Sequence, residues 1–93
     1  MREQEIERAL VAAVRSRGGQ AWKFTSPGTA GVPDRILLMP GGRLGFVELK
    51  APGSKPRELQ LMRFRQMERL GFRVYVIDGK EQIGGVLDEI QSA

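Results

Sequence analysis

Residues 33–50 read PDRILLMPGGRLGFVELK, and this stretch decides the fold. Apolar runs over 36–39 and 44–49 flank a Pro-Gly-Gly sequence at 40–42, so they predict two strands joined by a tight hairpin. Both runs are nearly continuous in apolar residues, which is typical of a sheet covered on both faces.

The length of the hairpin turn decides which side chains share a face of the sheet. A two-residue loop would place Asp34 opposite Leu49, whereas a three-residue loop that begins at Pro40 would place Asp34 opposite Glu48, with Cβ atoms about 5 Å apart. Proline at the first position of a type I turn, followed by glycine at the left-handed position of a bulge, favours the three-residue loop. Lys50 should point the same way as Glu48, because side chains alternate along a strand.

The flanking segments alternate between helix-like and strand-like patterns. A Pro- and Gly-rich loop over 26–33 precedes the hairpin, and glycines at 18–19 and 71 cap the first two helices. We predict an α/β sandwich, a four-stranded mixed sheet flanked by helices in the order α-β-β-β-α-β-α, forming one domain over 1–93. The elements are helices over 3–17, 56–70 and 80–90 and strands over 21–25, 36–39, 44–49 and 73–78.

The helix over 56–70 carries more apolar residues than one face requires. Pro56 takes a first-turn position. One predicted face joins Leu59, Met62, Met67 and Leu70, while Leu61 and Phe64 lie on another side. A partner or a local loop could cover that second side.

Composition restricts the chemistry, because the chain has no cysteine and no histidine. Disulfides, zinc fingers, thiol nucleophiles, Ser-His-Asp triads and histidine-ligated metals are excluded, so any catalytic metal needs oxygen ligands. Fifteen Lys and Arg against eleven Asp and Glu give a formal charge of +4, which favours contact with phosphates. The apolar runs are far shorter than the ~18 residues of a membrane helix. We expect a soluble, intracellular protein without a membrane partner.

Asp34, Glu48 and Lys50 form the constellation that carries chemistry. Two neighbouring carboxylates repel, and a shared cation or a raised pKa relieves the repulsion. Mg²⁺ accepts a few carboxylates, keeps several waters and takes phosphate oxygens as further ligands, so the pattern predicts hydrolysis of a phosphodiester. Each residue alone could be a loop acid or part of a solvated pair, but Glu48 interrupts an apolar strand where an unpaired charge would be costly.

Acidic residues on the first helix could reach the same site. Glu7 lies at the edge of the apolar stripe formed by Ile6, Leu10 and Ala13, and Glu3 falls in the same sector. Alternatively, the acids of the first turns complement the helix dipole.

These residues together resemble the virus-type replication-repair nuclease (VRR-NUC) domain of the PD-(D/E)xK nuclease superfamily. The short motif is Pro33-Asp34 followed by Glu48-Leu49-Lys50. The match extends over nearly the whole chain and includes the helix with Glu7, the segments 31–35 and 46–53, the turn at 41–43 and Gln60.

The resemblance implies a restriction-endonuclease-like sandwich with a magnesium-dependent endonuclease site, in which Mn²⁺ can substitute. Asp34, Glu48, the carbonyl of Leu49 and Glu7 would bind the metal, and Lys50 would be the catalytic lysine. Gln60 would stand close to the metal or the scissile phosphate; its alternative role is a surface helix residue.

The same resemblance suggests a homodimer that acts on branched DNA such as four-way (Holliday) junctions, in the cytoplasm of a bacterium or phage-infected cell. The alternatives are a non-catalytic basic module that binds nucleic acid, and a nuclease with a flap, single-stranded or sequence-specific substrate. Phosphate contacts are predicted for the basic residues near the site, Lys23, Arg35, Lys55, Arg57 and Arg63.

Overall fold

A computed structural model describes residues 1–92. Three helices and four strands follow one another in the predicted order, and a short 3-10 turn at Lys80–Gln82 precedes the last helix. They are α1 (Glu3–Ser16), β1 (Gln20–Lys23), β2 (Arg35–Met39), β3 (Arg43–Leu49), α2 (Glu58–Arg69), β4 (Val74–Ile77) and α3 (Ile83–Ser92).

The strands form one mixed sheet in the order β1-β2-β3-β4. β1, β2 and β3 are antiparallel neighbours, and β4 lies parallel to β3. The parallel pair is joined through α2, as a crossover connection requires. The predicted fold class and element order are therefore confirmed.

The β2–β3 hairpin has the predicted three-residue loop, since Met39 pairs with Arg43. The turn type differs from the prediction. Gly41 has a φ of +81° directly after Pro40, whereas the residue that follows the proline of a type I turn has a negative φ. Gly42 also has a positive φ, +74°. Two successive left-handed positions explain why glycines fill both.

One face of the sheet carries the main hydrophobic core. The buried side chains of β2 and β3 on this face pack against α1 and α3, and the glycines within α3 stay exposed on its outer side. The core consists of Ile6, Leu10, Val14, Leu37, Met39, Val47, Leu49, Ile77, Ile83, Val86, Leu87 and Ile90.

The other face is covered by α2, but not by the apolar face that the helical wheel predicted. Leu59, Met62 and Leu70 are exposed, while Gln60 and Phe64 are buried. The prediction was wrong because the buried position at 60 is polar and is held by hydrogen bonds, which a hydrophobic pattern does not detect. The two residues of the second side separate, since Leu61 is exposed and Phe64 packs inward.

Several boundaries differ from the sequence prediction. α2 begins at Glu58 with Arg57 as its N-cap, so Pro56 precedes the helix and does not occupy its first turn. β1 ends at Lys23, two residues before the predicted end. Among residues 1–92, none of the helices has the length and apolar content needed to cross a membrane.

Candidate active site

Asp34 immediately precedes β2, and the register of the hairpin places it opposite Glu48 on β3. Arg35 pairs with Val47, so one further step of the same register brings the two acids face to face. The Oδ2 atom of Asp34 accepts a hydrogen bond from the backbone N–H of Leu49 at 3.0 Å. The carboxylate thus ends the β2–β3 ladder and is held against the strand that carries Glu48.

Glu48 is almost completely buried, with 1% of its surface exposed. Its Oε2 atom lies 2.9 Å from Nζ of Lys50 and accepts a hydrogen bond from Nε2 of Gln60 at 2.8 Å. Its Oε1 atom is also buried but receives no hydrogen bond from any residue in 1–92. A buried carboxylate oxygen normally has a partner, so this atom is available for a ligand that the protein does not itself supply.

The surroundings of Glu48 raise the pKa of its carboxyl group above the ordinary value. Burial is the largest cause, since it disfavours the charged form, and the negative charge of Asp34 acts in the same direction. The hydrogen bonds and charge of Lys50, together with the hydrogen bond from Gln60, lower the pKa and offset part of the rise. A cation at this position would favour the ionised form.

Gln60 connects the first turn of α2 to the site. It is the third residue of the helix, and its Oε1 atom accepts a hydrogen bond from the backbone N–H of Arg57 at 2.9 Å, as in a capping box. That bond turns the amide nitrogen toward Glu48. Gln60 is 7% exposed, so the alternative of a surface helix residue is wrong.

Glu7 does not join the two other acids. Its Oε2 atom accepts hydrogen bonds from Nε and Nη2 of Arg35, at 3.2 and 3.1 Å, and no three acidic side chains in residues 1–92 are grouped as a metal site. The prediction of Glu7 as a metal ligand did not take into account Arg35, the first residue of β2. Arg35 turns toward α1 and takes up the carboxylate, a contact that the helical wheel of α1 cannot show.

The five basic residues predicted to contact DNA fall into two groups. Lys23, Lys55 and Arg57 are exposed. Arg35 is turned inward, since it also donates from Nη1 to the carbonyl of Ala21 at 2.8 Å, so it is not presented to a phosphate. Arg63 donates from Nε to the carbonyl of Ala30 at 2.8 Å and fastens the 26–33 loop to α2.

The donor set suits a hard divalent cation. Asp34 and the unpartnered Oε1 of Glu48 are neighbouring oxygens, and Lys50 limits the negative charge between them. Mg²⁺ typically takes one or two carboxylates, keeps waters and accepts phosphate oxygens. The carboxylates of Asp34 and Glu48, together with the adjacent backbone carbonyl of Leu49, match these ligand preferences without a third acidic residue.

Known proteins resemble this chain in both sequence and fold. It is 48% identical over 81 residues to the protein named "Putative nuclease p44" of Acyrthosiphon pisum secondary endosymbiont phage 1. The aligned region covers 87% of each of the two chains. A solved structure described as "VRR_NUC domain" matches 92% of this chain and 94% of its own, with a TM-score of 0.86 and 25% identity. No family model matches the chain.

Proposed function

Because this chain belongs to the VRR-NUC family of nucleases, we propose that it is a metal-dependent DNA endonuclease with Asp34, Glu48 and Lys50 at its active site. The observation that carries the proposal is the buried Oε1 atom of Glu48, which receives no hydrogen bond within 1–92 and lies beside a second carboxylate. A cation explains why an acid is kept at this position of an otherwise apolar strand.

Asp34, Glu48 and the carbonyl of Leu49 would hold Mg²⁺, and Mn²⁺ would substitute for it, since both ions prefer oxygen ligands. When bound, the metal would supply a Lewis acid that polarises the phosphate and neutralises its growing charge. Glu7 is assigned to Arg35 and not to the metal, because its carboxylate is already paired there.

Lys50 and Gln60 would prepare the site for hydrolysis. The Lys50 ammonium, held by Glu48, would donate hydrogen bonds to the attacking water or to a phosphate oxygen. The water oxygen would bond to phosphorus and lose one proton to solvent, while the bond from phosphorus to the leaving oxygen breaks and that oxygen takes up one proton from solvent. Gln60 would be a positioning residue, since it fixes Oε2 of Glu48 and so fixes where Oε1 points.

The substrate would be branched DNA, such as a four-way junction, and two copies of the chain would cut its two strands. An exposed apolar strip on α2, formed by Leu59, Leu61 and Met62, supports self-association. Glu58 and Arg65 lie beside this strip, so a two-fold arrangement can pair opposite charges across it. The phage origin of the relative suggests the cytoplasm of a bacterial host as the place of action.

Cleavage assays test the proposal directly. The wild-type protein and Asp34→Asn are incubated with four-way junction, flap and linear duplex DNA, with Mg²⁺, with Mn²⁺ and with EDTA. We expect metal-dependent cutting by the wild type, strongest on the junction, and a loss of at least about 100-fold in Asp34→Asn, because one of two anionic ligands is removed. Asp88→Asn, which alters an exposed acid on α3, is the matched control.

The results separate the rival functions. Binding that is indifferent to metal, with no cutting of any substrate, would identify a non-catalytic module and reject the endonuclease. Cutting that survives Asp34→Asn would reject the assigned site. Equal cutting of duplex, flap and junction would reject only the preference for branched DNA.

A further inference from the structure

An apolar groove lies beside the candidate active site, between α2 and the loop over 26–33. It has a volume of ≈ 520 Å³, and its walls are almost entirely apolar. Arg63, Gln66 and Arg69 form its polar edge along α2. The walls are formed by Phe24, Thr29, Val32, Met67 and Leu70.

One backbone contact and two short separations along the chain tie this groove to the acids. The backbone N–H of Phe24 donates to the carbonyl of Asp34 at 2.8 Å. Val32 stands two residues before Asp34 on the same loop. Arg63 lies three residues after Gln60 on α2, one helical turn from the contact with Glu48. A nucleotide next to a phosphate at the acids is therefore within reach of the groove.

The groove is fixed in place by its own contacts and is not a gap left by a loose loop. Arg63 holds the carbonyl of Ala30, and its Nη1 donates to Gln66 at 2.7 Å. Gly31 has a φ of +85°, and a Cβ atom there would lie 3.0 Å from the carbonyl oxygen of Leu59. The loop thus packs closely on the helix and gives the groove two stable walls.

We infer that this groove binds one unpaired nucleobase of the DNA substrate, next to the phosphate that is cut. An aromatic and aliphatic wall stacks against the flat apolar faces of a base, and the two arginines on the edge attract the phosphates to which that base is linked. A second copy of the chain is disfavoured as the occupant, because the strip assigned to self-association, Leu59, Leu61 and Met62, shares no residue with the groove.

The inference rests on the proposed nuclease function and deepens it, since it gives a physical reason for selecting branched DNA. A base in a continuous duplex must be unpaired and unstacked before it can enter the groove, whereas a junction or flap presents bases that are already strained or free. Preference for such substrates would then come from the groove, and the acids would cut any phosphate placed against them.

Fluorescence of 2-aminopurine tests the occupant without requiring cleavage. A flap DNA carries this base at the unpaired position next to the junction, and the wild-type protein is added in EDTA so that nothing is cut. We expect a change in emission as the base leaves its DNA neighbours and stacks on the protein. Replacing the same nucleotide by an abasic site should weaken binding on the order of tenfold.

Two variants of exposed apolar residues show where the base lies. Leu70→Ser alters a groove residue that is 76% exposed, so folding should survive, and it should remove most of the emission change and the penalty of the abasic site. Trp22→Ser is the matched control, because Trp22 is 56% exposed on the edge strand but does not line the groove. It should keep both effects.

The opposite results would overturn the inference. Loss of the emission change in Trp22→Ser with retention in Leu70→Ser would place the base on the edge strand. A halved molecular mass of Leu70→Ser in light scattering would show that a second copy covers the groove.

Equal binding of intact and abasic DNA by the wild type would reject base recognition, even where Mg²⁺-dependent cutting is observed. Absence of cutting with an intact fluorescence response would reject the nuclease function instead.

Discussion

The Nε2 atom of Gln60 donates a hydrogen bond to Oε2 of Glu48 at 2.8 Å, and this contact links α2 to the strand that carries the buried acid. The other end of the same amide caps α2 through the backbone of Arg57. The helix and the carboxylate therefore position each other. This relationship supports the first prediction, which separates a positioning role from a merely structural one.

We expect Gln60→Ala to lower the cleavage rate about tenfold and to raise the Mg²⁺ concentration needed for half-maximal rate, because residues that orient metal ligands contribute to metal affinity. The free energy of unfolding should fall by about 1–2 kcal/mol, since a buried acceptor and a helix cap lose their partner. Rates across a Mg²⁺ titration and urea unfolding provide the measurements. Gln4→Ala, on the exposed start of α1, is the control; a fall in stability with an unchanged Mg²⁺ requirement would contradict positioning.

The second prediction concerns the pH dependence of stability without metal. The pKa of Glu48 is higher in the folded than in the unfolded chain, so its ionisation destabilises the fold. This cost is absent below the unfolded pKa, near 4.5, and it is fully present above the raised folded pKa. We expect the stability of the wild type relative to Glu48→Gln to fall as pH rises through that window, measured by urea unfolding in EDTA.

The same variant supplies a check with metal. Mg²⁺ at about 100 times its dissociation constant should stabilise the wild type by about 2.7 kcal/mol, which raises the melting temperature by on the order of 10 °C in a chain of this size. Glu48→Gln should show little of this shift. A pH-independent difference between the two proteins in EDTA, or an equal Mg²⁺ shift in both, would contradict the role given to Glu48.

The third prediction tests the pairing of Glu7 with Arg35. Glu7→Gln should keep the thermal shift caused by Mg²⁺, because the carboxylate binds an arginine and not the metal. Stability should fall by at most about 1 kcal/mol, as expected for a partly exposed ion pair. Differential scanning fluorimetry with and without Mg²⁺ measures both effects. Loss of the metal shift would show that Glu7 leaves Arg35 and binds the cation.

The fourth prediction concerns the ion pair of Lys50 with Glu48. Lys50→Met should abolish cleavage and destabilise the protein by about 3 kcal/mol, because it leaves a buried carboxylate without its countercharge. In the Glu48→Gln background the same substitution should change stability by less than about 1 kcal/mol. A double-mutant cycle from urea unfolding measures the difference. Equal effects in the two backgrounds would show that the pair is not coupled.

The hairpin could be predicted from the sequence because its determinants are local. Pro40 and the two glycines that follow set a three-residue loop, and the loop length alone fixes that Asp34 faces Glu48. The detailed turn type could not be predicted, because Pro-Gly-Gly is compatible with more than one way of distributing positive φ among its residues. The register did not depend on that choice.

The buried side of α2 could not be predicted, for a different reason. Hydrophobic periodicity assumes that inward residues are apolar, whereas Gln60 is drawn inward by Glu48 and by the cap of its own helix. The pairing of Glu7 with Arg35 could not be predicted either, because the two residues are 28 positions apart and meet only when α1 packs on the sheet. The groove residue Phe24 was also missed, because only the folded loop gives it a site-facing role.

The turn at 40–42 lies on the surface, where chains usually accept changes of length. This turn is an exception, because its length is what sets the two acids opposite each other. Deletion of the single codon for Gly42 would leave a two-residue connection, and a slip of one position exchanges the faces of a strand. Such a change alters no proposed metal ligand and no buried residue. We nevertheless expect it to abolish DNA cleavage as completely as the loss of Asp34 or Glu48. The placement of the two acids therefore depends on the length of an exposed turn at the opposite end of the hairpin.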